Sequence, residues 1–339
     1  MDRSKVIKPR VVSLFSGCGG LDLGFHKAGF EIVFANDIQN PVKETYEKNL
    51  GSIFIGDIYD IDKKSLPDCE VVLAGVPCQP FSNAGNRGSM KDKRGTLFQQ
   101  VLEIVDNKRP DIVIFENVRG FTSAKDDFGI KMPERIKADL KRHRYNLEYR
   151  LLNAADYQVP QNRYRVILVG VREDLGKTFE FPNPIKLTAK STVGAIISKP
   201  YPKSEEQELW ALSPQIKALS KHIPEGGSWK AIPYDILPLR LKKIRDQMKK
   251  YRSPNFYRKF SREEIMGTIT AAATPENSGI LHPLELRRYS VREIARFQSF
   301  PDTFKFVGTS TANKYKMIGN AVPVKLAYHI AMKIKKDFY

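Results

Sequence analysis

The sequence predicts an α/β protein whose sheet is mostly parallel and doubly wound. Short apolar runs rich in Val, Ile and Phe alternate with segments of helical spacing between residues 11 and 171. The first strand enters a helix through a glycine-rich turn, and several later strands are followed by Gly, Asp or Glu. These features are typical of sheets that bind ligands beyond the carboxyl ends of their strands.

The opening step of the fold is a strand, a helix and a second strand. Val11–Phe15 has the composition of a buried strand, and Leu21–Ala28 has the apolar spacing of a helix. Gly29 ends that helix, and Phe30–Ala35 is the second predicted strand.

The turn between the first strand and the helix, SGCGG (16–20), predicts a cofactor site. Glycine lets the backbone approach a ligand, and an acid near the end of the second strand accepts hydrogen bonds from ribose hydroxyls. Asp37 follows Gly17 by 20 residues, as this arrangement requires. The turn lacks the full G-x-G-x-x-G pattern, so it suits a cofactor with a ribose and no pyrophosphate, such as S-adenosylmethionine. A purely structural turn is the alternative.

The alternation continues through the first half of the chain. Further strands are predicted at 53–55, 71–74, 112–115, 145–152 and 165–171, with helices at 97–105 and 133–140. Four polar side chains follow strand ends, so we expect them to share one crevice. They are Asp37, Asp57, Cys78 and Glu116.

Helical order returns near the carboxyl end of the chain. Ser290 and Glu293 form a capping-box pattern before the apolar residues that lead to Pro301. A Gly-Asn turn at 319–320 precedes a last helix with Val324 and three further apolar residues on one face.

The region between these two parts has a different composition. Residues 181–270 carry 17 Lys and Arg against 8 Asp and Glu, and aromatic residues are interleaved with the basic run from Arg240 to Lys259. Such a segment favours phosphate contacts, although a solvated basic helix is the alternative. We therefore predict a separate domain at 181–275, flanked by 1–180 and 276–339.

Charge and cysteine usage limit the class of protein. The 339 residues carry a net charge of +18, which favours nucleic acid as a partner. Three cysteines without a C-x-x-C pair and five scattered histidines argue against a disulfide scaffold and a zinc site. The charged start of the chain and the lack of an apolar run of about 18 residues predict a cytoplasmic protein.

Cys78 is the strongest candidate for chemistry. In AGVPCQPFS it stands between two prolines after an apolar strand, a position for a fixed, reactive thiol rather than for a core side chain. We predict a thiolate nucleophile.

Taken together, the motifs resemble those of the DNA cytosine-C5 methyltransferases of the bacterial restriction–modification type. The resemblance covers about 1–180 and 280–339 and runs through eight blocks in the family's order: FSGCGG, GDI, GVPCQPFS, GTLFQQ, FENV, QNRYRVILVG, RRYSVREIARFQSFPDTF and GNAVPV. It implies the Rossmann-like fold of S-adenosylmethionine-dependent methyltransferases, with a smaller target-recognition domain at 181–275.

The resemblance implies roles for four catalytic residues. Cys78 would add to carbon 6 of cytosine, making carbon 5 nucleophilic, and Glu116 would bind the N3/N4 edge of the base. Arg163 and Arg165 alternate along the strand, so both would lie on one face and reach the base and the pocket around the thiol. The alternative is that one of them, Arg165 in particular, is a phosphate clamp or an internal ion-pair partner.

The resemblance also implies a pocket for S-adenosylmethionine. Asp37 replaces the glutamate usual at the ribose, and Ile38 stands where an aromatic residue often stacks on adenine. The predicted pocket residues are Phe15, Cys18, Gly20, Asp37, Ile38, Asp57, Ile58, Pro77, Leu97, Asn320 and Val322.

A duplex DNA substrate would have to present its cytosine flipped out of the stack. The glycine-rich, charged segment 82–95 is predicted to close over the DNA as a lid. The candidate DNA contacts are Ser82, Arg87, Arg240, Lys242, Lys243 and Arg258. We expect a monomer that modifies one short site, with a cognate endonuclease as a possible companion acting on that site.

Three other functions are compatible with parts of the sequence. A tRNA cytosine methyltransferase would use the same chemistry, and methylation of tRNA instead of duplex DNA would identify it. A non-enzymatic DNA-binding protein would not need Cys78, Glu116 and Arg163 together. A nicotinamide-dependent dehydrogenase would explain the opening turn but not Cys78, and would bind a nicotinamide cofactor.

Overall fold

The computed structural model describes residues 8–77, 97–126, 128–185, 191–202, 207–247 and 255–339. In this part of the chain a seven-stranded sheet has the order β3-β2-β1-β4-β5-β7-β6. The strands are β1 (Arg10–Leu14), β2 (Glu31–Asp37), β3 (Phe54–Ile55), β4 (Val71–Ala74), β5 (Ile112–Val118), β6 (Tyr145–Asn153) and β7 (Tyr164–Arg172). Only β7 runs antiparallel to its neighbours, which confirms the predicted doubly wound, mostly parallel sheet.

Helices connect the strands and follow them. They are α1 (Gly20–Lys27), α2 (Lys43–Leu50), α3 (Leu97–Lys108), α4 (Met132–Arg142), α5 (Val193–Ile197), α6 (Pro214–Ser220), α7 (Leu239–Gln247), α8 (Pro275–Ser278), α9 (Val291–Phe297), α10 (Thr311–Asn320) and α11 (Val324–Phe338). No helix of the described residues is long and apolar enough to cross a membrane.

The strand order reverses between β1 and β4. The chain builds outward from β1 to β2 and β3, and then restarts at β4 on the other side of β1. In doubly wound sheets this switch point opens a crevice at the carboxyl ends of the strands, where ligands bind. The segments after β1 and β4, which contain Gly17 and Pro77, leave the sheet at this edge.

The chain divides into two compact units. The first takes in the chain up to Asn153, then Tyr164–Pro184 and Val324–Tyr339, and the second takes in Ala154–Arg163 and Ile185–Pro323. The sequence analysis assigns residues 276–323 to the same domain as 1–180. In the structure they belong to the second unit, together with the basic region that precedes them. The role of 181–275 in target recognition stays a prediction.

The first unit has its core on both faces of the sheet. All four residues of β4 are buried, because a central parallel strand is covered on both sides. The last helix, α11, packs against α1 at Gly24, where an added Cβ would lie 2.4 Å from the Cβ of Ala327. Glycine thus allows the carboxyl-terminal helix to lie close to the helix that follows the glycine-rich turn.

The second unit has a core of its own. Trp229 is fully buried and belongs to one apolar cluster with Leu219, Leu241 and Tyr257. The capping box predicted at Ser290 is present, since its hydroxyl accepts from the amide of Glu293 while the Glu293 carboxylate accepts from the amide of Ser290.

A helix and a turn differ from the sequence analysis. We did not predict α2, because its sequence KETYEKNL is polar and only Thr45 and Tyr46 are buried in it. Gly319 and Asn320 do not form a separate turn; they are the last residues of α10. Gly319 lies so close to the neighbouring backbone that an added Cβ would be 2.4 Å from the carbonyl oxygen of Thr270, which explains why glycine stands there inside a helix.

Candidate active site

The turn after β1 requires glycine at two places. Gly17 and Gly19 have φ angles of 55° and 86°, in the left-handed region that disfavours other residues. At Gly19 a Cβ would also lie 2.3 Å from Cδ1 of Leu50. Among the described residues no atom approaches a Cβ position at Gly17 within 4 Å, so the turn has open space there. Phe15 begins the turn with a φ of 56°.

Asp37, the predicted ribose-binding acid, holds this turn in place. One of its carboxylate oxygens accepts from the amide of Gly17 at 2.8 Å, and the other accepts from the amide of Gln39 at 2.7 Å. The side chain is buried, and this burial raises the pKa of the carboxyl group. It lies inside β2, whereas we expected the strand to end at Ala35. A carboxylate has about four acceptor positions, and the amides of Gly17, Gln39 and Ile38 therefore leave room for a ligand hydroxyl.

The next strand end adds a second acid and an exposed apolar side chain. Asp57 caps the short turn after β3 by accepting from the amide of Tyr59 at 3.2 Å. Ile38 is 62% exposed at the end of β2, and Ile58 is buried. An exposed isoleucine directly after Asp37, with Asp57 after the neighbouring strand, suits an adenosine, whose ring is apolar on its faces and whose ribose donates hydrogen bonds.

The other predicted pocket residues have varied surroundings. Cys18 is buried in the turn, and Gly20 is buried at the start of α1. Pro77, after β4, is exposed, and Leu97, the first residue of α3, is half-buried. In the second unit Asn320 is exposed and Val322 is buried. Their contacts with a cofactor stay a prediction.

A buried ion pair joins the ends of β5 and β7. The Nε of Arg165 lies 2.6 Å from Oε1 of Glu116, and both residues are buried. Glu116 lies within β5 and pairs across the sheet with Ile167, so it does not follow the strand as we expected. Arg165, on the antiparallel neighbour β7, therefore holds the Glu116 carboxylate in place.

Asn117 ties the end of β5 to the segment after β4. Its side-chain nitrogen donates to the carbonyl oxygen of Val76 at 3.3 Å, and its side-chain oxygen accepts from the amide of Val118. Val76 stands two residues before Cys78. We did not select Asn117 from the sequence, although an asparagine directly after Glu116 in the FENV motif was the available signal.

Arg163 does not share the surroundings of Arg165. It precedes β7 and belongs to the second unit, where its guanidinium donates to the carbonyl oxygens of Ile269 at 2.7 Å and Gly319 at 2.6 Å. The expectation that both arginines lie on one face of the strand is wrong, because the strand begins at Tyr164. Its catalytic role stays a prediction.

Several predicted residues lie outside the described part of the chain. They are Cys78, Ser82, Arg87 and the remainder of the segment 82–95. The roles given to them stay predictions.

The other two cysteines provide a test of which thiol is reactive. Burial raises the pKa of Cys18 and of Cys69 to about 12 in each case. Since the thiolate is the reacting form, we expect both to resist alkylation by iodoacetamide at pH 8 in the folded protein. Mass spectrometry of the peptides should find label on Cys78 alone, and the Cys78→Ser variant should take up no label until it is unfolded. Rapid labelling of Cys18 or Cys69 in the native protein would contradict this.

The basic region divides into exposed and paired cations. Arg240 and Lys243 are exposed on α7 and form no ion pair with the described residues. Lys242 donates to the carbonyl oxygen of Asp235, and its Nζ lies 5.3 Å from the ring centroid of Tyr234. Arg258 forms an ion pair with Glu264 and donates to a backbone carbonyl. The guanidinium of Arg258, a predicted DNA contact, is thus already paired within the protein.

Comparisons with known proteins agree with the geometry. The family described as C-5 cytosine-specific DNA methylase matches residues 9–336. The Type II methyltransferase M.NgoFVII of Neisseria gonorrhoeae is 38% identical over 98% of this chain and 87% of its own length. M.MthTI of Methanothermobacter thermautotrophicus, also a Type II methyltransferase, is 37% identical over 96% of this chain and 97% of its own length.

Solved structures show the same fold at lower identity. A DNMT2 variant of Spodoptera frugiperda superimposes with a TM-score of 0.67 at 17% identity, covering 97% of this chain and all of its own. The Dnmt2 methyltransferase of S. pombe gives a TM-score of 0.62 at 21% identity, covering 98% of this chain and all of its own.

Proposed function

Because this chain belongs to the family of C-5 cytosine-specific DNA methylases, we propose that it methylates carbon 5 of a flipped-out cytosine in a short duplex DNA site. It is a DNA cytosine-5-methyltransferase of the restriction–modification type, and S-adenosylmethionine is its methyl donor.

The residues at the switch point fit that cofactor. Gly17 leaves open space beside the turn backbone, and the acids at the ends of β2 and β3 suit hydroxyl and amine donors. Asp37 would accept from the ribose and Ile38 would pack on the adenine ring. S-adenosylmethionine supplies an electrophilic methyl group there, and the protein need only bind and orient it.

The proposed chemistry begins at Cys78. Its thiolate forms a bond to carbon 6 of the cytosine, and the electron pair of the C5–C6 double bond becomes available at carbon 5. Carbon 5 would then accept the methyl group, with the sulfur of S-adenosylhomocysteine as the leaving group. The C5 proton would pass to a base, its electron pair would re-form the C5–C6 double bond, and the C6–S pair would return to Cys78 as the thiolate. Pro77 directly precedes Cys78, and its ring fixes the backbone φ angle at that position.

The buried pair of Glu116 and Arg165 is the observation that supports this proposal most directly. A carboxylate that is held in place by an arginine can accept a hydrogen bond from N4 of cytosine and stabilise a proton at N3. Protonation at N3 makes carbon 6 more electrophilic, so this carboxylate would favour thiolate attack. Asn117 would help to fix the backbone that leads to Cys78.

The decisive experiment is methyl transfer from labelled S-adenosylmethionine to a plasmid of mixed sequence, followed by bisulfite sequencing. We expect label on cytosines within one short motif. Label on tRNA and none on duplex DNA would overturn the DNA assignment. Nicotinamide binding, or DNA binding without methyl transfer, would overturn the proposed enzyme class.

The exposed cations of α7 give a separate prediction about DNA binding. Replacing Arg240 and Lys243 by glutamine should weaken binding and reduce the slope of log affinity against log salt by about 2, because each phosphate contact contributes about 0.9 to that slope. Fluorescence anisotropy with a labelled duplex at several salt concentrations measures both quantities.

The matched control for this prediction is a Lys27→Gln and Lys48→Gln double variant. Both lysines are exposed in the first unit, and the loss of net charge is the same. An equal change of salt slope in the control would mean that α7 acts only through overall charge.

We propose further that the enzyme acts as a monomer in the cytoplasm, where it meets the chromosomal DNA of the nucleoid. A cognate endonuclease that cuts the same unmethylated site would be its functional companion, without the two needing to form a complex. The segment 82–95 would close over the bound DNA, and Ser82 and Arg87 would contact it.

A further inference from the structure

A buried carboxylate lies directly behind the cofactor turn. Asp22, in the first turn of α1, has no exposed surface. One of its oxygens accepts from the hydroxyl of Ser13 in β1 at 2.7 Å, and the other accepts from the hydroxyl of Tyr46 in α2 at 2.6 Å. The Ser16 hydroxyl of the turn donates to Ser13 at 2.9 Å. One side chain thus links a strand, two helices and the turn.

This carboxylate is held by neutral groups. Among the described residues no Lys, Arg or His forms an ion pair with Asp22, and hydroxyl groups supply its hydrogen bonds. Burial raises the pKa of the carboxyl group, while the hydrogen bonds from Tyr46, Ser13 and Ser16 oppose that rise. A buried carboxyl group satisfied in this way sets the positions of its donors closely, since losing any one leaves a buried polar atom unpaired.

The same residues shape the turn itself. The ring of Tyr46 and the side chain of Leu50 occupy the space beside Gly19, where a Cβ would lie 3.1 Å from Cε2 of Tyr46. The hydroxyl of Tyr46 is anchored on Asp22, so Asp22 also sets where α2 meets the turn. Asp37 holds the turn at Gly17 from β2, and the Asp22 cluster holds it at Ser16 and Gly19.

We propose that Asp22 is a positioning residue for cofactor binding: it holds the 16–20 turn in the conformation that S-adenosylmethionine requires, without touching the cofactor. The proposal rests on the assignment of S-adenosylmethionine to this turn. The turn is shaped before the cofactor binds. The loss of Asp22 should therefore reduce the affinity for the cofactor and leave the rate of methyl transfer from the bound cofactor unchanged.

The test is an Asp22→Asn variant, which keeps the shape of the side chain but replaces one acceptor oxygen by an amide nitrogen that can only donate. We expect the Kd for S-adenosylmethionine and for its product S-adenosylhomocysteine to rise together by about tenfold or more, the effect of leaving one buried hydrogen-bond donor unpaired. The KM for DNA and kcat at saturating cofactor should change by less than about threefold, because the bound complex is unaltered. Calorimetric titration gives the two Kd values, and steady-state kinetics give the KM for DNA and kcat.

Two tyrosine variants separate positioning from general stability. Tyr46→Phe removes one donor to Asp22, while Tyr145→Phe removes a buried hydroxyl that donates to the carbonyl oxygen of Pro110 at the other end of the same sheet. Both should lower the melting temperature, and only Tyr46→Phe should weaken cofactor binding. This pair tests the proposal even if Asp22→Asn does not fold.

Two results would overturn the proposal. One is an unchanged cofactor Kd in Tyr46→Phe and in folded Asp22→Asn. The other is an equal loss of cofactor affinity in Tyr46→Phe and Tyr145→Phe, which would indicate general destabilisation. Absence of cofactor binding to the unaltered protein would instead refute the proposed function on which the inference rests.

Discussion

Replacing Cys78 by serine should reduce methyl transfer to DNA by at least about 10³-fold, since the hydroxyl is a far weaker nucleophile than the thiolate. The fold should be unaffected because the change exchanges one small side chain for a slightly smaller one. The measurement is the initial rate of label transfer from S-adenosylmethionine to plasmid DNA, with cofactor affinity measured in parallel. We expect the Kd for the cofactor to stay within about threefold of its original value, because Cys78 acts on the base.

Cys69→Ala is the matched control for that variant. Cys69 is a second thiol, buried ahead of β4, and burial raises its pKa to about 12, so the reactive thiolate form is disfavoured there. Its replacement should leave the rate of methyl transfer nearly unchanged. A Cys78→Ser variant that still methylates at more than about a tenth of the normal rate would show that covalent attack comes from another group.

Replacing Glu116 by glutamine should lower kcat by about 10²- to 10³-fold, within the range expected for a group that stabilises a proton in the transition state. Glutamine keeps the length of the side chain and can still accept a hydrogen bond from Arg165, but it cannot stabilise positive charge on the base. Single-turnover rates on a duplex substrate isolate the chemical step from product release.

The matched control breaks an ion pair elsewhere in the same sheet. Glu70 accepts from Arg10 at 2.9 Å at the end of the sheet opposite to the site. Glu70→Gln should therefore reduce stability slightly and leave the methyl-transfer rate unchanged. If both variants lost the same fraction of activity, the role of Glu116 would be structural.

Much of the sheet could be predicted because its strands are buried on both faces. Val71–Ala74 is a strand in both the sequence analysis and the structure, and 112–115 lies inside the longer β5. A short, continuous apolar run that ends in glycine or an acid is typical of a central parallel strand. Polar elements were harder to predict. Helix α2 has little apolar periodicity, because only Thr45 and Tyr46 are buried in it.

The residue types that stand at the ends of the strands can be read without any coordinates. Glycines at 17 and 19 with an acid at 37 predicted a nucleotide-type cofactor, with a structural turn as the alternative, and a cysteine between prolines predicted a thiolate nucleophile. These properties are local, since each depends on composition and spacing within a short stretch of chain.

The pairing of these side chains with one another depends on the packed fold. Asp37 reaches back to the amide of Gly17, and Arg165 reaches Glu116 across an antiparallel strand pair. Arg163, two residues before Arg165, instead donates to backbone carbonyls of the second unit. Asp22 finds its donors on β1 and α2. Hydrogen bonds of this kind depend on distances of about 3 Å between atoms brought together by packing, and a linear pattern of residue types contains no such distances.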